Sequence, residues 1–151
     1  MDEIAALLSR HECVGLDTSP FIYHIEGASR YVSAVGIVFD ELIRGTFAGV
    51  TSVLTLMEVT VKPLQLGFAD VADEYEMILS TYPNLTVVGF DQTTARRAAE
   101  LRAIYRLRPA DALQVAACLQ NGATAFLTND KGLRRVSEEI QVMLLDDFVT
   151  Q

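Results

Sequence analysis

Five short runs of apolar or β-branched residues punctuate the chain, at Cys13 to Leu16, Ala48 to Thr51, Leu85 to Val88, Ala125 to Thr128 and Val142 to Leu145. Each is bounded by turn-forming residues and has the length of a strand. Between them, apolar residues recur at spacings of three and four instead. Tyr31, Val35, Val38, Phe39, Leu42 and Ile43 make one such stripe, with Gly45 as its stop. Leu54, Met57, Val61 and Leu64 make a second, closed by Pro63 and Gly67. Val71, Tyr75, Ile78 and Leu79 mark a third helix across Ala69 to Tyr82. Ala95, Ala98, Leu101, Ile104 and Tyr105 mark a fourth, with Thr93 or Thr94 as its cap. Pro109 suits the first turn of a last long helix that ends near Asn121 and Gly122.

Strands alternating with helices of this length are joined by crossovers, which predicts an α/β protein with a largely parallel sheet covered on both faces. No repeat, low-complexity tract or linker interrupts the pattern, so a single domain over residues 1–151 is expected. A chain of 151 residues can bury roughly two-thirds of its unfolded surface. Half of the residues are hydrophobic, enough for one core without staples. No apolar run approaches the ~18 to 20 residues that would span a bilayer. The opening MDEIAALLSRHE lacks the basic region, apolar run and cleavage site of a secretory signal, so a cytoplasmic protein is expected. Cys13 and Cys118 lie singly in apolar segments and read as reduced core residues. His11 and His24 have no ligand-like spacing either.

A net charge of −8 argues against a protein that wraps DNA through a basic surface. The distribution says more than the sum. Of twelve Lys and Arg, eight fall between Arg96 and Arg135, as a basic rim would, although exposed helix faces account for them equally well.

Four acids stand in apolar surroundings: Asp17 in CVGLDTSPF, Glu58 in TLMEVTV, Asp111 in RPADALQVAAC and Asp130 in TAFLTND. Carboxylates so placed are costly to desolvate unless they pair, hydrogen-bond or hold a cation. Asp17 and Asp130 follow the first and fourth strands, and so arrive at the carboxyl edge of the sheet, where ligands collect. Asp111 lies in the first turn of its helix, at the positive end of the dipole. Glu58 falls on a helix whose other residues belong in a core, facing inward by expectation. Thr18 and Ser19 could cap the helix opened by Pro20 or serve a metal-bound water. Thr128 and Asn129 could orient Asp130. Singly, Asp17 could be only a cap, Asp130 a turn residue with Lys131 and Gly132, and Asp111 a dipole partner.

Taken together, GLDTSPFIYHIEG, LMEV, RPADALQVAACLQNGATAFLTND and the closing hydrophobic strand resemble a PIN domain, and within that family the VapC-type ribonuclease toxins. The resemblance covers essentially the whole chain. It implies a three-layer α/β/α sandwich with a parallel five-stranded sheet ordered 3-2-1-4-5. It also implies RNA cleavage with Mg²⁺ or Mn²⁺ held by Asp17, Glu58, Asp111 and Asp130. Such toxins pair with an antitoxin protein and commonly form homodimers. The chain departs from them in its twelve residues ahead of the first strand and in its acidic balance.

On that basis Arg106, Arg108, Lys131, Arg134 and Arg135 are candidate contacts for the phosphates of a single-stranded or looped RNA. Apolar residues of the Glu58 to Tyr82 helical pair such as Phe68 and Tyr75 are candidates for a protein contact, with core packing the favoured alternative. Two other function classes remain open. One is a PIN-like module that binds RNA or protein without cutting. The other is a phosphoryl-transfer protein, which would need a second acid where Ser19 stands, or a late-strand lysine placed differently from Lys131.

Overall fold

The computed structural model describes residues 2–149. Five strands, β1 (Cys13–Leu16), β2 (Ala48–Ser52), β3 (Leu85–Val88), β4 (Ala125–Thr128) and β5 (Gln141–Leu144), form one sheet in the order β3-β2-β1-β4-β5. All four pairings are parallel. The helices are α1 (Asp2–Leu8), α2 (Thr18–Glu26), α3 (Val32–Arg44), α4 (Val53–Gln65), α5 (Ala69–Thr81), α6 (Gln92–Tyr105) and α7 (Pro109–Gln120). Short 3-10 segments over Lys131–Val136 and Leu145–Phe148 complete the chain. This is the expected α/β architecture and strand order.

The alternation of side chains along the strands divides the core in two. Val14, Leu16, Ala125, Leu127 and Met143 join one buried cluster with Ile4 and Leu8 of α1, Phe21 of α2, and Val35, Val38, Phe39 and Leu42 of α3. Val50 and Phe126 point the other way, into a cluster with Ala98 and Leu101 of α6 and Val115, Ala116 and Cys118 of α7. The sheet is thus covered on both faces.

The small residues of α7 set how closely it lies on the sheet. Ala112, Ala116, Ala117 and Cys118 are all buried. A Cβ at Gly15 of β1 would fall 2.8 Å from both Cβ and Sγ of Cys118 and 2.9 Å from Phe126 Cδ1. Glycine is required there for close approach rather than for a turn. Both cysteines are free, Cys118 buried and Cys13 only half-buried. Burial pushes both thiols above their usual range, which suits packing residues rather than nucleophiles.

Several local expectations are corrected. Helix α1 was not foreseen, because seven residues show too little of a 3.6-residue period, yet Ile4 and Leu8 are fully buried. Helix α2 begins at Thr18, with Asp17 as its N-cap, so neither Thr18 nor Ser19 is the cap. Asp91 caps α6, accepting from Thr94 N at 2.8 Å and Thr94 Oγ1 at 2.9 Å, so Thr94 is a donor to the cap. Pro63 lies within the last turn of α4 rather than beyond it. The apolar stripe of α4 is also reversed. Met57, Val61 and Leu64 are exposed, and the buried face is Thr55, Val59 and Pro63. On α6, Ile104 is exposed as well.

At the edge where the strands begin, His11 joins two neighbours: one ring nitrogen lies 2.7 Å from Thr124 Oγ1 and the other 2.9 Å from Gln141 Oε1. Both nitrogens are used in this tie. No helix among the described residues is long and apolar enough to cross a membrane.

Replacing Gly15 by Ala drives a methyl group into Cys118 and Phe126 and is expected to destabilise the fold by about 1–3 kcal/mol. A lower urea midpoint at unchanged slope checks this; an unaltered midpoint would show that α7 can lift without cost.

Candidate active site

The strand ends deliver the site. Parallel pairing continues past Leu16↔Leu127, with Asp17 N donating to Leu127 O at 2.9 Å, so Asp17 and Thr128 are brought level. Thr128 Oγ1 donates to Asp17 Oδ2 at 2.7 Å, and Asp17 Oδ1 accepts from Thr18 N at 2.9 Å. Desolvation nevertheless pushes the Asp17 carboxyl above its usual range. Those two hydrogen bonds oppose the shift, and the charges of Asp111 and Glu58 add to it. Asp17 therefore feels both of the other acids.

Beneath Asp17 lies a buried polar seam. Ser52, Thr51, Thr55, Gln114 and Thr128 are each at most 1 % exposed, and all find partners. Thr51 Oγ1 donates to Thr55 Oγ1 at 2.8 Å, and Gln114 Nε2 donates to the same oxygen at 2.8 Å. Thr18 Oγ1 donates to Glu58 Oε1 at 2.7 Å. Thr55 must therefore give its own proton to Thr18, 3.1 Å away. The hydroxyls of Thr51, Thr55 and Thr18 form a directed chain that ends on the Glu58 carboxylate. Ser52 Oγ donates to Gln114 Oε1, and Gln114 Nε2 reaches Asp17 Oδ1 at 3.4 Å.

Two of the acids keep their structural jobs as well. Asp17 caps α2, and Asp130 Oδ1 accepts from Gly132 N at 2.9 Å, closing the expected turn. The other Asp130 oxygen and Asp111 Oδ2 are bridged by Arg108, from Nη2 at 3.0 Å and Nε at 2.9 Å. Glu58 is not inward-facing, as expected from sequence, but exposed at the cleft's rim. The reason is the reversed face of α4: Thr55 turns inward to the seam, leaving Glu58 at its edge.

Asp17, Glu58, Asp111 and Asp130 line one cleft of about 870 Å³, together with Thr18, Ser19, Thr128, Asn129, Arg108 and Lys131. Of the other expected residues, Thr128 does position Asp130, accepting from its backbone N–H at 3.1 Å. Asn129 does not. It donates to Tyr23 Oη at 3.1 Å and accepts from Asp146 N at 3.2 Å, fastening the end of β4 to α2 and the last 3-10 segment. Lys131 lies 3.7 Å from Asp146, whose carboxyl is held below its usual range by the Tyr31 hydroxyl and by Arg30. Arg134 pairs with Asp147, and Arg135 donates to Arg106 O; neither they nor Arg106 line the cleft. Gln114 and Thr55 were missed from the sequence, although a lone glutamine within LQVAAC carries the same signal that singled out Glu58.

Residues 14–139 match the PIN domain family. The chain belongs to the PIN domain family. Comparison with curated proteins gives no match. Among solved structures, VapBC2 from Rickettsia felis bound to a promoter DNA fragment aligns with a TM-score of 0.69 at 14% identity, covering 87% of this chain and 98% of that one. A toxin-antitoxin complex from Klebsiella pneumoniae aligns at 0.64 with 20% identity, over 87% and 97% of the two chains. DNA-bound VapBC from Salmonella typhimurium gives 0.66 at 20% identity over the same shares. These likenesses establish a PIN fold.

Whether this PIN cleft suits a divalent cation is a question of donors and of their convergence. The donors fit: every acid offers oxygen, and Ser19 Oγ is buried at the cleft without a hydrogen-bond partner among the described residues. Convergence is incomplete. Among the described residues no three His, Cys, Asp or Glu side chains are grouped so as to hold a metal ion, and Arg108 spans two of the acids.

Two outcomes are expected of variants here. Gln114→Leu leaves the Ser52 hydroxyl without its acceptor and takes one donor from Thr55 in a dry interior, and is expected to cost about 1–3 kcal/mol, read from chemical denaturation. Asp17→Asn should instead raise the melting temperature of the metal-free protein at neutral pH. A carboxyl whose folded pKa is raised destabilises the fold once ionised, from the ordinary Asp range near ~4 upward. A lower melting temperature for this variant would contradict that account.

Proposed function

We propose that the chain is a divalent-metal-dependent endoribonuclease, acting in the cytoplasm as the toxin of a type II toxin–antitoxin pair. The observation that supports it best is the meeting of Asp17, Glu58, Asp111 and Asp130 on one cleft at the carboxyl edge of a PIN sheet. Asp17 and Asp111 are the proposed ligands of Mg²⁺ or Mn²⁺, with Glu58 and Asp130 completing the set. When bound, the cation supplies an activated water and charge neutralisation at the scissile phosphate.

The chain's own residues do the rest. Thr128 and Thr18 N–H fix the Asp17 carboxylate, so its orientation is set before any ligand arrives. The hydroxyl chain ending at Thr18 holds one oxygen of Glu58 at the cleft. Lys131 and Arg108, at the rim, are placed to hold backbone phosphates, contacts that position RNA without reading its sequence. Arg106, Arg134 and Arg135 lie farther out and would meet only flanking nucleotides.

A cognate antitoxin is proposed because the similar structures include a toxin-antitoxin complex. This chain offers it an apolar groove lined by Ile22, Ile25, Val59, Leu66, Phe68 and Tyr75, next to Glu58. A second copy of the chain could use the exposed Met57, Leu64 and Met77 nearby. The incomplete convergence of ligands favours a second reading, a PIN module that binds RNA or protein without cutting.

RNA cleavage separates the two. Asp17→Asn and Asp111→Asn are each expected to reduce Mn²⁺-dependent hydrolysis of a single-stranded RNA to background while the circular dichroism spectrum is retained. Cleavage at the wild-type rate by both variants would sink the nuclease assignment.

A further inference from the structure

Arg108 stands where local rules disfavour it. It is the N-cap of α7 and makes no side-chain cap hydrogen bond. Caps prefer Ser, Thr, Asp or Asn, and a cation at a helix N-terminus opposes the dipole. Its side chain instead forks across two acids from separate elements, Asp111 of α7 and Asp130 after β4, at 2.9 and 3.0 Å. Such a break in local preference needs a compensating use. The guanidinium also lies between two spaces. It lines the carboxylate cleft and an adjoining hollow of about 230 Å³ bounded by Leu107, Gly132, Leu133 and Arg135.

We infer that Arg108 is a built-in counter-cation of the metal-free cleft, which holds Asp111 and Asp130 together until a divalent ion displaces it. The inference rests on the metal-dependent reading of the same acids. Three features support it. The bridge is bidentate in the sense that matters here: one planar fork satisfies two carboxylates, a geometry that lysine cannot copy. It is also weak enough to yield, since the Arg108 side chain is 76% exposed and solvent-exposed ion pairs stabilise little. A buried guanidinium would compete too well. Finally, it leaves Asp17 untouched; among the described residues that acid is served by neutral donors alone, so the position most in need of a cation stays open.

Displacement would have a second effect. Once released from the acids, the side chain has the adjoining hollow and the solvent open to it, on the rim where a substrate phosphate must pass. The same residue would then change from a counter-ion of the acids to a ligand of the phosphate.

Titrating Mn²⁺ calorimetrically into the wild-type protein, Arg108→Gln and Arg108→Lys tests this without any turnover. Removing the competitor should tighten Mn²⁺ binding in Arg108→Gln by roughly three- to tenfold, with Arg108→Lys between the two. The metal-free glutamine variant should also melt below wild type, and the added Mn²⁺ should raise its melting temperature more. Equal or weaker Mn²⁺ binding by Arg108→Gln, with wild type binding normally, would overturn the role of Arg108 and leave the metal site standing. A wild-type protein that binds no Mn²⁺ at all would overturn both.

Discussion

The cost of burying one carboxylate organises this molecule. Asp17 ends the central strand, where the sheet and α2 shut out most water, and its ionised form is correspondingly disfavoured. The surrounding sequence answers with neutral donors: a hydroxyl from Thr128, a backbone N–H from Thr18 and the long contact from Gln114. Those donors are themselves buried and must be satisfied in turn, which draws in Ser52, Thr51 and Thr55. A polar interior of this kind stabilises one arrangement only when every member is paired. The small residues of α7 follow from the same demand, because Gln114 reaches the seam only if its helix lies close against β1.

The remaining acids are handled differently, and the contrast is informative. Asp111 and Asp130 lie nearer the solvent and are met by a full charge, Arg108, whereas Asp17 has no cation partner among the described residues. Glu58 is held by a single hydroxyl at the end of a relay. The cleft is therefore neutralised at Asp111 and Asp130 and left uncompensated at buried Asp17 and at Glu58 on the rim. Within a chain of net charge −8, so few cations near these acids make their placement matter more than their number.

Most of this frame was legible in the sequence, and the exceptions share a cause. Three of the five strands, β1, β3 and β4, have the bounds read from the apolar runs; β1 and β4 are central, largely buried and nearly continuous in hydrophobic residues, and the half-buried edge strand β3 is apolar at all but Thr86. The four acids were legible as polar residues in apolar company. Helix α4 was misread because two stripes compete on it, Leu54–Met57–Val61–Leu64 and Thr55–Val59–Pro63. Hydropathy favours the first, yet Thr55 turns inward because the seam gives its hydroxyl three partners. Hydrogen bonding overrode hydrophobicity, and Glu58 moved outward as a consequence. Arg108 was read as a phosphate contact, for nothing in RPADA shows that a residue twenty-two positions away will share its guanidinium.

The register of β1 against β4 carries a last consequence, for what lengths of chain this family member can tolerate. One residue separates β1 from α2, none separates β2 from α4, and two separate β4 from the following 3-10 segment. Those connections are the site, since Asp17, Ser52, Asn129 and Asp130 occupy or border them. An insertion there would carry Asp17, Ser52 or Asp130 away from the partners that fix it. The connections at the opposite edge, such as Gly45 to Phe47 and Asn121 to Thr124, hold no acid of the cleft. Length variation among descendants of this chain should therefore accumulate on one rim of the sheet, leaving the other fixed to the residue.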